Sequence, residues 1–534
     1  NLHVVVYLWE INPSMNTSEF LNITSLIVPD RTAIIFDGKR ISYALLAERV
    51  NRLANALAEL GVGSGDRVST MQVNCNEHIE AYFAASKLDA VYVPLNFRST
   101  PEEIEYMLSD CSPKVIFAGS RYTTMIDQVS KALDTLSAKV VIDGTAAGWL
   151  GYESILDSSD ADERYPIGDE DELTMLMFTA GTTGSPKGVM LSHDSFSSYI
   201  LNNVSPPDLD IEEKNILTVP LYHIAGVQAV MAAIYGGRTL IIQRQFEPVE
   251  WMKLVANERA NRAMMVPTML KMLLDHEEFD RDDLSSLEVI TYGAAPMPLE
   301  VIRRAIEKLP GTYFINAFGQ TETAATITML PPEDHVLEGS SEEIEIKLKR
   351  LTSIGKPLSD VEVRIVDENG ETVSTGENGE IVARGSRLMK GYWNQEEATA
   401  EALRGGWLYT GDLGYFDDDG YIFLSGRAKD FIKRGGEMVS PEEVEQVLHS
   451  HPDIDEAAII GVPDLDWGER VRAIVVEKPG CTVDESEVIE FCRAKLSSFK
   501  KPESVVVVDE LPRNPLGKVL KRVLREQFSS PIQE

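Results

Sequence analysis

The chain has 534 residues, too many for one ordinary domain, and 43% of them are hydrophobic, as in a globular protein. Its formal charge of −35 disfavours nucleic acid or an anionic membrane as the main partner, because both would repel it. Cys75, Cys111, Cys481 and Cys492 stand without metal or redox spacing, and the histidines form no pairs at helical ligand spacing, so a reduced, cytoplasmic setting without a structural metal is expected.

Residues 1–14 contain an apolar run too short to span a bilayer and carry no basic leader; they are expected to be a non-native extension, with Met15 as the natural start. No integral membrane segment is expected elsewhere. Ile41 to Leu60 shows helical apolar spacing at Leu45, Val50, Leu53 and Leu57. The turn Gly61–Asp66 joins a helix to the strand Arg67–Val73, the wrong order for a dinucleotide fingerprint. A helix over Ile79–Leu88 and strands at Val91–Leu95 and Val115–Ala118 follow. This alternation predicts layered α/β structure with mostly parallel pairing.

Leu173 to Phe178 is a short apolar run of strand length. Beyond it Thr179, Thr182, Thr183 and Ser185 are interleaved with Gly181, Gly184 and Gly188, and Lys187 follows Pro186. Glycines admit close backbone approach, hydroxyls donate, and a lysine supplies a point charge, which is what a polyphosphate requires. The spacing is not that of a Walker loop. By composition alone, an ordinary Gly/Ser/Thr surface turn fits equally well.

Further strands are predicted at Ile216–Val219, Thr239–Ile242, Ala263–Val266, Val289–Tyr292 and Tyr313–Asn316. From about Thr352 the text becomes β-rich with glycine turns (Val361–Val366, Gly379–Ala383, Tyr421–Leu424), predicting a small β-barrel-like subdomain. After Gly426 a charged stretch leads to Ser440-Pro-Glu-Glu443, a helix start with serine as N-cap, and the remainder fits a compact α+β domain. From Lys500 to Arg525 seven basic residues face three acidic ones, an inversion in so acidic a chain that suggests an anionic partner or a solvated helix face.

Thr179–Gly188 resembles the signature loop of the adenylate-forming superfamily, acyl-CoA synthetases included, with Phe178 and Ala180 where that pattern has Tyr and Ser. Further stretches follow in the same order: Thr291-Tyr-Gly-Ala-Ala-Pro296, Asn316-Ala-Phe-Gly-Gln-Thr-Glu322, Trp407-Leu-Tyr-Thr-Gly-Asp412, Arg427 and Pro512-Arg-Asn-Pro-Leu-Gly-Lys518. The resemblance implies a large α/β AMP-binding domain over 15–427, a small mobile α+β lid over 430–534, and a hinge near Lys429. It implies ATP, Mg²⁺ and coenzyme A as cofactor and co-substrates. Thr179, Gly181, Thr182, Thr183, Gly184 and Lys187 are expected around the phosphates. Gly293, Ala294, Ala295, Asn316, Phe318 and Gly319 would hold the adenine, Thr321 the α-phosphate, and Glu322 the metal.

Asp412 matches the ribose-binding aspartate, Arg427 the ribose- or phosphate-side arginine, and Lys518 the lysine that bridges substrate carboxylate and α-phosphate. Lys433, Gly435, Gly436, Trp467, Phe499 and Lys501 would serve CoA, and His223 in Pro220-Leu-Tyr-His-Ile-Ala-Gly226 would gate the acyl pocket. The implied catalytic set is Lys518, Thr179, Glu322, His223 and Lys429. The implied reaction is ATP-dependent ligation of a carboxylic acid to CoA through an acyl adenylate. The segments expected to wall the acyl pocket, His223–Val230, Tyr292–Ala294 and Ala317–Ala325, hold no basic residue, so an uncharged tail, aliphatic (medium- or long-chain fatty) or aromatic, is expected. Adenylation with another acceptor (amine, carrier protein or oxygen) and an inactive nucleotide-binding relative stay open, and the sequence is compatible with a homodimer.

Overall fold

The structure, a computed structural model, describes residues 15–131, 133–169, 171–179, 186–427, 430–434, 437–464, 467–514 and 517–530. The proposed extension 1–14 lies outside them, as do Gly181, Thr182, Thr183, Gly184, Lys429, Gly435 and Gly436.

Two large sheets carry the first four hundred residues. One has eight strands, in the order Gly391–Tyr392, Lys187–Ser192, Leu173–Thr179, Val91–Pro94, Arg67–Met71, Val115–Ala118, Ala138–Val141 and Leu150–Gly151. The other has nine: Lys356–Pro357, Ala325–Leu330, Tyr313–Gln320, Val289–Gly293, Arg262–Met265, Lys214–Leu217, Thr239–Ile242, Thr32–Phe36 and Lys39–Ser42. The strand interiors read as continuous apolar runs because helices cover both faces of a parallel sheet.

Both sheets reverse direction at a strand that carries a motif. Leu173–Thr179 runs parallel to Val91–Pro94 and antiparallel to Lys187–Ser192. Tyr313–Gln320 runs parallel to Val289–Gly293 and antiparallel to Ala325–Leu330. The loops that follow these strands therefore open on the carboxyl side of the sheets, where open α/β folds bind ligands.

The helix predicted over Ile41–Leu60 occupies Tyr43–Glu59, because Ile41 and Ser42 complete a strand and the Ser42 hydroxyl caps the helix by accepting from Leu45 N–H. Val50, Leu53 and Leu57 are buried as the spacing requires, whereas Leu45 faces solvent. The next helix runs Asn76–Ser86, three residues ahead of its apolar signal. Its first turn is polar yet buried: Asn76 donates to Glu80, and His78 pairs with Tyr92.

Residues 362–427 form a five-stranded antiparallel sheet with a centre of Ile354, Ile365, Ile381 and Ile422. The C-terminal region builds a separate five-stranded sheet, in which Gly468–Glu477 is central and Ile454–Asp464 pairs along its edge, with a core of Val444, Leu448, Ile459, Val471 and Val488. Ser440 caps the helix Pro441–His449 by accepting from Glu443 N–H. The Glu443 carboxylate bonds Lys500 rather than returning to the cap, so only half of a capping box forms. No described helix is long and apolar enough to cross a membrane.

Candidate active site

Thr179 closes its strand opposite Lys187, and its hydroxyl donates to the Lys187 carbonyl at 3.4 Å. Between them Gly181, Thr182, Thr183 and Gly184, expected to cradle phosphates, lie outside the described residues, but the two posts of the loop are described. Lys187 Nζ lies 4.8 Å from the centre of the Tyr392 ring. The Tyr392 hydroxyl donates to Glu322 Oε1 at 3.0 Å. Burial first, and the Glu322 charge second, push the Tyr392 phenol above its ordinary pKa, so it remains a donor.

Of the adenine-wall candidates, Gly293, Asn316, Phe318 and Gly319 lie within two adjacent parallel strands and Ala294 and Ala295 just beyond the first, with Gly293 opposite Ala317. A methyl at Gly293 would coincide with the Ala317 carbonyl oxygen, and one at Gly319 with that of Ala325, so neither position accepts a side chain. Ala294, just past the end of the strand, has φ +66°, an unusual conformation for alanine. Asn316 Nδ2 donates to the Ser353 carbonyl at 3.1 Å, which leaves its amide oxygen as the group able to accept from an adenine amino edge. Phe318 is half-buried against the main core and against the small-sheet centre. Thr321 and Glu322 open a short 3-10 turn, whose carbonyl at Glu322 accepts from Met389 N–H.

Asp412 and Arg427 face each other across two antiparallel strands, and Arg427 Nε donates to Asp412 Oδ1 at 2.6 Å. Gln320 Nε2 and Arg427 Nη1 both donate to the Thr410 carbonyl, at 3.4 Å each, which ties the Asn316–Glu322 segment to the Trp407–Asp412 segment. Lys518 stands on a tight turn in which its N–H donates to Asn514 Oδ1 and Gly517 has φ +76°. Its side chain is reached by solvent. Lost hydration in the surrounding cleft, then the Arg427 charge, nevertheless lower its pKa, opposed by Asp412, Asp430 and Glu442. A solvent-reached lysine crowded by walls of mixed charge is suited to receive an anion between those walls. Lys518 thus joins Asp412 and Arg427 from a hundred residues away.

His223 stands at the N-cap position of the helix Ile224–Tyr235 without a side-chain capping bond, with its ring against Tyr222 and its Nε2 buried without a partner. Burial, then the charge of Arg98, holds its pKa down to about 3, so the ring is neutral. Gly226 packs where a methyl would meet the Pro220 carbonyl, which explains the small residue three after the histidine. The pocket-wall segments hold no basic residue, and Arg98 approaches Tyr222 and His223 from a different loop. It is exposed, donates to Gln245 at 3.2 Å and lies over the Phe97 ring. Sequence gave no periodic or motif signal for Arg98.

Of the residues expected to serve CoA, Gly435 and Gly436 lie outside the described residues, and Trp467 and Phe499 both meet Arg434. Its guanidinium lies 5.3 Å from the Trp467 ring centre and donates to the Phe499 carbonyl at 2.7 Å. Lys433 N–H donates to Glu469, Trp467 is 47% exposed, and Lys501 is half-exposed two residues beyond Phe499. Arg434 and Tyr392 are the organising side chains that motif reading misses. Each sits on a strand of two or three residues, too short for a periodic signal.

Among the described residues no cluster of three His, Cys, Asp or Glu could hold a metal. A single carboxylate suits Mg²⁺, which keeps waters and takes its other ligands from phosphates. Glu322 fits: Tyr392 occupies Oε1 from one side and leaves the second oxygen for a cation.

Residues 27–393 match the family described as AMP-binding enzyme, and residues 443–518 the AMP-binding enzyme C-terminal domain. The chain is 34% identical over 515 residues to an indoleacetate–CoA ligase of Aromatoleum aromaticum, covering 96% of this chain and 98% of the relative. It is 35% identical over 497 residues to a long-chain-fatty-acid–CoA ligase of Mycobacterium tuberculosis, covering 92% and 94%. The anthranilate CoA ligase AuaEII, solved in complex with anthranoyl-AMP, superposes with a TM-score of 0.87 at 25% identity, covering 97% of this chain and 98% of that one.

Proposed function

Because the chain belongs to the AMP-binding enzyme family and is an AMP-forming acid–CoA ligase, we propose that the cleft bounded by Lys187, Glu322, Asp412, Arg427 and Lys518 is where it activates its carboxylic acid. The observation that carries this reading is the Asp412–Arg427 pair with Lys518 in its field, three charged groups drawn together from distant segments.

A substrate carboxylate oxygen attacks the α-phosphorus of ATP, an acyl–O–P bond forms, and the bond to pyrophosphate breaks. Two anions must meet for this, and Lys518 between them offsets their repulsion and the charge that develops. The Asp412 carboxylate accepts from the ribose hydroxyls. Asn316 Oδ1 accepts from the adenine amino group, and Thr179 and Lys187 hold the outer phosphates. Glu322 would hold Mg²⁺, which supplies charge neutralisation on the phosphates. No general base is needed, because the carboxylate is already the nucleophile.

In the second half-reaction the CoA sulfur attacks the acyl carbon, the thiol proton is released, and AMP leaves. The hinge at Lys429 turns the 430–534 lid, which replaces the Lys518 turn with the Gly435–Gly436 loop beside a narrow thiol channel. Lys433, Trp467, Phe499 and Lys501 receive the CoA nucleotide, and neutral His223 gates the acyl pocket.

The acid carries an uncharged tail, aliphatic or aromatic. Buried Ile224, Val227 and Val230 beside His223 support an apolar pocket, and the relatives named above act on acids of both kinds. Four free cysteines support a cytoplasmic setting, and a homodimer is compatible with this reading without being required by it.

Pyrophosphate release with ATP and Mg²⁺ across a panel of carboxylic acids, with and without CoA, tests the proposal. Turnover that needs both one acid class and CoA is expected. A single CoA-independent burst would point to another acceptor, and silence across the panel to an inactive relative.

A further inference from the structure

Segment 388–393 straps the Glu322 turn to the strand that leaves the phosphate loop. Met389 N–H donates to the Glu322 carbonyl, Lys390 N–H to Met190, and Trp393 N–H to the Gly188 carbonyl at 2.7 Å. Gly391 and Tyr392 pair antiparallel with Met190 and Val189. Gly391 has φ +140°, a conformation that only glycine adopts readily, and it turns the chain so that Tyr392 N–H reaches Thr399 Oγ1 at 2.8 Å. The strap is pinned at its far end by the Trp393 indole, which donates to the Asp110 carbonyl.

This anchorage fixes one side chain, Tyr392, between two groups that come from different sheets. Its hydroxyl holds Glu322 Oε1 and its ring face lies under Lys187 Nζ. Glu322 sits on a 3-10 turn and Lys187 on a loop exit. Neither has a rigid helix behind it. A carboxylate that must meet a cation with one oxygen needs its rotation stopped, and a donor on the other oxygen stops it. A lysine on a four-carbon stem needs its head directed, and a ring face directs it without occupying its three donors.

We propose that Tyr392 is the positioning residue that sets the metal carboxylate Glu322 and the phosphate lysine Lys187 in one register for a metal–triphosphate, with the hydroxyl serving the metal and the ring serving the phosphate. The inference rests on the reading of Glu322 and Lys187 given above. The two halves of the tyrosine act separately, so they are separable by substitution. Tyr392→Phe removes the donor and keeps the ring, and Tyr392→Leu removes both.

The test uses the full-length chain and a triphosphate analogue with a non-hydrolysable α,β-methylene bridge, its binding followed by calorimetry across a Mg²⁺ titration, with AMP as the metal-independent control. Tyr392→Phe is expected to raise the Mg²⁺ concentration for half-maximal analogue binding about tenfold and to leave AMP affinity unchanged. Tyr392→Leu is expected to lose a further fivefold or so in analogue affinity at saturating Mg²⁺, and that further loss is expected to vanish in a Lys187→Ala background. The Tyr392→Phe effect is expected to vanish in a Glu322→Gln background. An unchanged Mg²⁺ requirement in Tyr392→Phe, with a raised one in Glu322→Gln, overturns the inference while sparing the site. Equal loss of AMP and analogue binding in Tyr392→Phe also overturns it, since that marks a general structural role. An unchanged Mg²⁺ requirement in Glu322→Gln overturns the reading of Glu322 and the inference with it.

Discussion

Arg427 Nε donates to Asp412 Oδ1 at 2.6 Å across a strand pair whose register places the two residues directly opposite. The pair fixes the Asp412 carboxylate beside a charge that never leaves.

Asp412→Asn keeps the shape of this side chain but replaces one acceptor with a donor, which a ribose hydroxyl pair cannot match as well. A charge-assisted hydrogen bond contributes about 1.5–3 kcal/mol, so AMP affinity is expected to fall by roughly ten- to a hundredfold. Calorimetric titration with AMP reads this directly, and unchanged affinity would show that the ribose lies elsewhere.

Lys518→Ala is expected to abolish adenylate formation, measured as pyrophosphate exchange, while sparing thioester formation from a supplied acyl adenylate. Lys429→Pro restricts the hinge and is expected to do the reverse. Equal loss of both half-reactions in both variants would sink the two-conformation account.

Lys271, on the helix Pro267–Leu274, bonds Asp455 of the C-terminal sheet at 3.0 Å, and Gly517 packs so close to Thr268 that a methyl would overlap the threonine side chain. These contacts tie the C-terminal region to the large domain in the arrangement where Lys518 feels the charges of Arg427 and Asp412. The ion pair is partly exposed and contributes at most about 1 kcal/mol. Lys271→Ala is therefore expected to slow pyrophosphate exchange up to about fivefold and to leave thioester formation from a supplied adenylate unchanged or slightly faster. A matching loss in the second half-reaction would mean the contact is merely stabilising.

The elements with long apolar signals are legible without a structure. Thr239–Ile242 and Val115–Ala118 fall where the sequence puts them, and the bounds of other strands shift by one to four residues. Asp412, Arg427 and Lys518 stand out because each belongs to a contiguous stretch of distinctive residues. Their meeting is not readable, since it depends on strand register and on a turn of the C-terminal region. Tyr392 and Arg434 are invisible for a different reason. Each does its work from a strand too short for any period, and its partners lie up to two hundred residues away. The polar first turn at Asn76–His78 escapes because its burial rests on hydrogen bonds that apolar spacing does not encode.

Three buried histidines predict how the fold responds to acid. Burial is the first cause in each case, and it holds His78 and His335 down to about 4 and His193 down to about 3, below the usual value near 6.5. Their ring nitrogens are committed: His78 to Tyr92 and the Gln72 carbonyl, His335 to Tyr292 and the Pro331 carbonyl, and His193 to Thr17 and Asn16. A group whose folded pKa is depressed binds fewer protons in the folded state, so stability rises with pH wherever the unfolded chain is protonated and the folded chain is not. For these residues that window opens below about pH 6.5 and closes near 4 for two and near 3 for the third. Each contributes a slope of up to about 1.4 kcal/mol per pH unit inside it. Melting temperature is therefore expected to be flat from pH 8 to 7 and to fall steeply from 6 to 4.5. His335→Gln, which keeps a hydrogen-bonding side chain without a titrating ring, is expected to make that fall shallower while lowering the plateau. A melting temperature level down to pH 4.5 would mean that these rings do not stay neutral in the folded chain.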